Sequence, residues 1–137
     1  MSQIERFNSG QVVPAGVPFP EGVRVGDMLY LSGQLGNVPG QLRLVEGGLR
    51  AEARQTLENI RSVLLGQGLD LQHLVRCTVM LADMADWPVF NEVYREFFGA
   101  TPLPARSALG CNGLALGARV EIECIAAAAP PSAAGRG

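Results

Sequence analysis

Histidine is nearly absent from this chain: His73 is the only one in 137 residues. A Ser-His-Asp or Cys-His relay therefore has one place to be. His73 falls between a helix end and a strand, where a surface or capping role fits it better. A single histidine without a cysteine or carboxylate cluster is also a poor metal site. Cysteine is scarce too. Cys77, Cys111 and Cys124 are an odd number, widely spaced, with no CxxC or zinc-ligand pattern. Two of them lie inside apolar strand-like runs and read as small buried hydrophobes. No apolar stretch approaches the roughly 18 residues a membrane-spanning helix needs. Residues 1–10 are polar and lack the apolar core of a secretory signal. These absences point to a reducing cytoplasm. Basic clusters are missing as well, and a net charge of −2 leaves no footprint for nucleic acid. The glycines form neither a P-loop nor a strand-linked GxGxxG, so a phosphate cradle has no support.

What is present is a core. At 47% hydrophobic and 18% charged the chain suits one folded domain, with no internal repeat and no dividing linker. That domain is expected over residues 1–129, with a Pro/Gly/Ala tail, disordered, at 130–137. Hydrophobic spacing supplies the elements. Glu21–Val25 and Met28–Gln34 read as strands joined by a Gly26-Asp27 hairpin, and Leu42–Val45 as a third short strand. Leu49, Ala53, Leu57, Ile60 and Leu64 share one face of a helix that Gly66 and Gly68 end. Phe90, Val93, Tyr94, Phe97 and Phe98 do the same for a second helix, with Asp86 as its N-cap, Pro88 in its first turn and Gly99 at its end. Leu74–Leu81 reads as a strand covered on both faces. Residues 104–109 form another short strand. Gly110–Gly117 reads as a flexible connection. In Arg119–Ala127, Val120, Ile122, Cys124 and Ala126 alternate with Glu121, Glu123 and Ile125. The order β-β-(β)-α-β-α-β-β implies an α+β domain, a mixed sheet with two helices on one face. No third helix remains for the other face, so a second copy of the chain is the economical cover.

Two charged features stand out. Arg106 follows Pro102-Leu103-Pro104-Ala105, and a guanidinium on a stiffened segment makes a good two-bond carboxylate clamp. Glu121 and Glu123 share a strand face beside apolar positions, where a carboxyl group has a raised pKa and suits proton transfer. On residue patterns alone, a loop arginine and a solvated strand face are the stronger explanation of these features.

At these residues the chain resembles the RidA/YjgF family of reactive-intermediate deaminases, once labelled L-PSP endoribonucleases. The resemblance runs over about residues 5–128. It is carried by Tyr30-Leu31-Ser32-Gly33-Gln34, Arg54–Ile60, Phe90–Phe98, Pro104-Ala105-Arg106-Ser107 and Val120–Ala126. The family implies a chorismate-mutase-like fold assembled as a homotrimer, with active sites in the clefts between subunits. It implies cofactor-free hydrolysis of 2-aminoacrylate, 2-iminobutanoate and related 2-imino acids to 2-keto acids and ammonia. Arg106 matches the family's carboxylate-binding position and Glu121 the one that handles the attacking water. Phe19, Ser32, Gly33, Asn91 and the backbone at Ala108 match substrate-binding positions. The expected partners are thus a small imino or keto acid and two further copies, with no nucleic acid and no membrane. Glu123 is expected to serve structure at a sheet edge.

Four positions depart from the family's pattern and bear on the side-chain end of the substrate. Phe19 replaces a common tyrosine, Ala108 a frequent cysteine and Leu114-Ala115 a usual Leu-Pro, and Leu35–Pro39 lacks the usual Pro/Asn-Pro pattern. A larger imino acid is one consequence. The main alternative is a non-catalytic trimer that binds a 2-keto or amino acid with the same clamp. RNA cleavage is a poor fit, because aromatic residues make up 6% of this acidic chain and single-strand binding favours basic grooves with stacking aromatics.

Overall fold

The structure is a computed structural model that describes residues 3–128; the tail expected at 130–137 lies outside them. Six strands form one mixed sheet: β1 Ile4–Phe7, β2 Gly22–Val25, β3 Met28–Leu31, β4 Leu74–Leu81, β5 Ala105–Gly110 and β6 Val120–Ala127, in the spatial order β1-β2-β3-β6-β4-β5. Only β4 and β5 run parallel, joined through helix α2 (Trp87–Phe98), since parallel neighbours need a crossover connection. Helix α1 (Gly48–Gly66) links β3 to β4.

The expected helix faces are the buried ones. Leu57, Ile60 and Leu64 of α1 are each at most 1% exposed, and each contributes roughly 1.5–3 kcal/mol of burial. Phe90, Val93, Tyr94 and Phe98 of α2 are buried beside them. They meet the inner face of the sheet, where Cys77, Val79 and Leu81 of β4 lie beside Val120, Ile122, Cys124 and Ala126 of β6. The two cysteines face each other across the β4–β6 ladder with Sγ atoms 3.1 Å apart. His73 has the capping role: its Nδ1 accepts from the Asp70 N–H at 3.0 Å, while Asp70 Oδ1 accepts from the Leu71 N–H.

Several expectations need correction. The strand besides the predicted ones is β1, not Leu42–Val45, which makes a single bridge from Leu44 to Asn37. β1 escapes the pattern because it is an edge strand with little apolar alternation, and Ile4 is largely exposed. β3 stops at Leu31; the chain leaves the ladder at Ser32-Gly33 and rejoins β6 through a Gln34–Ile122 bridge. β4 is covered on one face only, with Arg76 exposed and Thr78 and Met80 half-buried on the other. Its second face is open in this chain, and β-branched composition cannot distinguish an open face from one reserved for a partner. The α2 start is capped one turn earlier: Asp83 accepts from the Ala85 N–H at 2.9 Å, opening a 3₁₀ turn that runs into the helix, and Asp86 makes no side-chain cap. Gly110–Gly117 is no loose tether. The Cys111 N–H donates to the Leu81 carbonyl, and a 3₁₀ turn at Ala115–Gly117 is followed by Arg119, whose N–H donates to the buried carboxylate of Glu52 at 2.8 Å. Glu123 lies mid-sheet, since β6 sits between β3 and β4. Among the described residues no helix is long and apolar enough to cross a membrane.

Candidate active site

Arg106 sits on β5, in register with Cys77 of β4, so its side chain leaves the sheet on the helix side. There α2 has prepared its position. Its NH2 group donates to Asn91 Oδ1 at 2.7 Å. Its guanidinium carbon lies 4.7 Å from the Tyr94 ring centroid and 5.6 Å from that of Phe90. An aromatic shelf of this kind favours a cation and restricts its rotamers. The expected pair Arg106 and Asn91 is therefore in direct contact. Among the described residues no carboxylate pairs with this guanidinium. It lines an open hollow of about 280 Å³ with Trp87, Asn91, Tyr94 and Leu103. Ala108, two residues on, shares the inner side of β5 and packs against the core.

Tyr94 was legible in the sequence only as a core position. Its buried hydroxyl has no hydrogen-bond partner among the described residues, and burial, with Cys77 beside it, raises its pKa, so it stays a neutral phenol. Nothing in helical spacing distinguishes a core tyrosine from one supporting a guanidinium.

Glu121 lies on the other side of the sheet. It pairs with Met80 and alternates with the inward Val120 and Ile122, so its carboxyl group emerges on the open face. The Gln34–Ile122 bridge, with bonds of 2.8 and 3.0 Å, brings Gly33 alongside. A Cβ on Gly33 would overlap Glu121 Oε2 and lie 3.1 Å from its Cδ; the glycine is where the carboxylate rests. Partial burial first, and the negative charge of Glu123 second, raise the Glu121 pKa. Such a carboxyl group accepts a proton more readily than a solvated one.

Ser32 and Phe19 belong to this second half. The Ser32 hydroxyl donates to the Pro20 carbonyl at 2.8 Å and its N–H to the Glu21 carbonyl at 2.9 Å, so it ties the loop before β2 to the strand end. Glu21 is the anchor that residue patterns did not single out. It is 1% exposed, and its carboxylate accepts from Ser9 N–H, Ser9 Oγ, Val12 N–H and Val13 N–H. That fastening holds residues 9–20 against the sheet and presents Phe19 to a second pocket, which it lines with Gly33.

The sequence-predicted residues thus separate into two groups. Arg106, Asn91 and Ala108 lie on the helix side of β5, while Glu121, Gly33, Ser32 and Phe19 gather around the β3 end and β6. The two pockets share no lining residue. Among the described residues no group of three or more His, Cys, Asp or Glu side chains is placed to hold a metal ion.

A family model described as Endoribonuclease L-PSP matches residues 10–128. The chain belongs to the RidA/YjgF family. Among its Rid relatives, the Mus musculus protein named 2-iminobutanoate/2-iminopropanoate deaminase is 41% identical over 130 residues, 94% of this chain and 96% of that one. Protein DfrA of Myxococcus xanthus is 39% identical over 122 residues, 88% of this chain and 92% of its own length. Among solved Rid-type structures, E. coli TdcF with bound serine superposes with a TM-score of 0.83 at 29% identity, covering 91% of this chain and 99% of that one. The six-stranded sheet with two helices is the Rid fold. The deaminase name that the Mus musculus protein shares with relatives from Capra hircus and Homo sapiens supports imine deamination at the level of the family.

Proposed function

We propose that this chain hydrolyses 2-imino acids of the 2-aminoacrylate and 2-iminobutanoate type to 2-keto acids and ammonia, as a cytoplasmic homotrimer with composite sites. One observation carries the reading: a half-buried guanidinium, pre-positioned by Asn91 and the Tyr94 ring, faces an open hollow and pairs with no carboxylate among the described residues. A guanidinium held in this way suits a small anion with two oxygens. The α-carboxylate of an imino acid fits its charge and two-oxygen geometry.

The second requirement is a proton acceptor for water, and Glu121 suits it through its raised pKa. Arg106 and Glu121 lie on opposite faces of one sheet, so no single chain makes them converge. A second copy docked on the open face, where Tyr30, Arg76, Thr78, Glu123 and Ile125 line a shallow hollow, would bring one chain's guanidinium to another chain's carboxylate. A third closes the ring.

The chemistry then asks little of the protein. The imine carbon is already electrophilic. Bidentate binding of the carboxylate to Arg106 orients it. Glu121 takes a proton from water as the oxygen adds to that carbon. It passes that proton to the nitrogen to give the carbinolamine, then takes the hydroxyl proton and delivers it to the amine as the C–N bond breaks, releasing ammonia and leaving the keto acid. Gly33 lies against this carboxylate, Phe19 lines the adjoining pocket with Gly33, and Ser32 keeps their loop in place. Removing the clamp should cost on the order of 2–4 kcal/mol of transition-state binding, roughly a 30- to 1000-fold loss of rate. The test is Arg106→Ala in a coupled assay with serine dehydratase supplying 2-aminoacrylate. Retained activity in a folded variant would reject the assignment. In the same assay Glu121→Gln separates an enzyme from a binding module: unchanged ammonia release would favour the latter.

A further inference from the structure

We propose that Cys77 and Cys124 are an oxidation site beneath the Arg106 clamp: a hydroperoxide closes them into a cross-strand disulfide, and closure weakens carboxylate binding at the guanidinium. The bond stands on geometry alone; its effect on turnover rests on the imine-hydrolysis reading.

Register places the two thiols for bonding. Cys77 of β4 and Cys124 of β6 are direct partners in an antiparallel ladder, where opposed residues point to the same face and their Cα atoms lie about 4.5 or 5.5 Å apart. Both spacings fall inside the roughly 4.4–6.8 Å that a disulfide spans. The Sγ atoms of these free thiols are 3.1 Å apart, so bond formation closes a gap of about 1 Å.

The surroundings make the pair unequal. The hydrogen bond from Cys124 does most to hold the Cys77 thiol below its ordinary range; burial opposes it, and the Tyr94 hydroxyl and the Arg106 and Arg76 charges assist. The same bond, with burial, pushes Cys124 well up. Cys77 is therefore the attacking thiolate and Cys124 the resolving thiol. The Tyr94 hydroxyl is an independent sign. It lies beside Cys77, yet has no hydrogen-bond partner among the described residues. A buried donor without an acceptor carries its full desolvation cost, and a thiolate beside it supplies the acceptor.

Burial selects the oxidant. Cys77 is 1% and Cys124 3% exposed, which shuts out a disulfide as bulky as glutathione's. Tyr94 lines the clamp's hollow, so solvent, and a peroxide little larger than water, reaches the side chain next to Cys77. The Cys77 thiolate attacks one peroxide oxygen: an S–O bond forms, the O–O bond breaks, and the departing hydroxide takes up a proton. Cys124 then attacks the Cys77 sulfur. The S–S bond forms, the S–O bond breaks, and the departing hydroxyl leaves as water with the Cys124 proton. Two thiols lose two electrons, and hydrogen peroxide becomes two waters. Closure is felt at the clamp, because Cys77 pairs with Arg106 in the β4–β5 register and lies beside the tyrosine whose ring supports the guanidinium. Drawing its sulfur toward β6 loosens the packing under that ring, and the guanidinium loses its fixed position.

The experiment treats the full chain with stoichiometric hydrogen peroxide, alkylates the remaining thiols in denaturant and maps disulfides by mass spectrometry of unreduced digests. The expected product links Cys77 to Cys124, leaves Cys111 alkylated and is reversed by dithiothreitol. A bond between residues 47 positions apart should raise the unfolding midpoint by several degrees. Calorimetry should show severalfold weaker 2-oxobutanoate binding in the oxidised form, and the coupled 2-aminoacrylate assay a raised KM with kcat nearly kept. Cys124→Ala, or Cys124→Ser if the alanine variant melts early, should bind like the parent and lose the dithiothreitol-reversible response. Peroxide that leaves Cys77 and Cys124 alkylatable, or links Cys111 instead, overturns the proposal. So does a Cys77–Cys124 disulfide with unchanged or absent 2-oxobutanoate binding. If neither form hydrolyses an imine but oxidation weakens 2-oxobutanoate binding, the hydrolysis reading fails and the switch stands.

Discussion

Gly33→Ala isolates the Glu121 carboxylate from the fold that carries it. The added methyl group would overlap Oε2 and sit 3.1 Å from Cδ and 3.3 Å from Cγ of the same side chain. No backbone atom is among its close neighbours, so the strain is relieved by swinging one glutamate away. Restoring ordinary contact needs a carboxylate displacement on the order of 1 Å, and a misplacement of that size costs about 100-fold in rate, or about 2.7 kcal/mol of barrier. Stability should change little. Gly36→Ala provides the contrast, because its Cβ would lie 2.5 Å from the Glu52 carbonyl oxygen and 2.8 Å from the Glu52 Cα. Those are backbone atoms of α1, so the helix itself must shift and the variant should melt several degrees lower. The assay pairs thermal unfolding with keto-acid release from enzymatically generated 2-aminoacrylate. Gly33→Ala with full stability and kcat within twofold of the parent would refute the claim that this carboxylate does the work.

Other expectations follow from the same geometry. Glu123→Gln removes a like charge that helps to raise the Glu121 pKa; in the proposed mechanism the active form is the carboxylate, so the acid limb of the kcat/KM profile should move to lower pH. An unmoved limb would assign it to another group. Glu21→Ala leaves the Ser9, Val12 and Val13 amides without their shared acceptor, which should destabilise the protein by on the order of 3 kcal/mol, read by urea unfolding. Tyr94→Leu removes the ring beneath the Arg106 guanidinium and should raise KM for the imino acid more than it lowers kcat; an unchanged KM would argue that Asn91 alone positions the clamp.

Much of the fold was written in local pattern. The 3.6-residue period of Leu49 to Leu64 and of Phe90 to Phe98, and the alternation of Val120 to Ala126, each specify which side is buried, because burying a misplaced face would cost several apolar groups at once. The edge strand Ile4–Phe7 escaped because an edge needs no continuous apolar face, and Leu42–Val45 misled because β-prone residues also line pockets, as Leu42 lines the one beside Gly33. Arg106 and Glu121 were recognisable as residue types in a family pattern. That they emerge on opposite faces of one sheet was not, since their orientation depends on the β4–β5 and β4–β6 registers, each set by pairings distant in the chain. Composition and period decided what would be buried and which elements would form. Only the tertiary structure decided what stands beside what: the tyrosine ring beneath the guanidinium, the glycine beneath the carboxylate, and the two thiols face to face across the sheet. Those are contacts between separate segments, and no local rule encodes the register that brings such segments together.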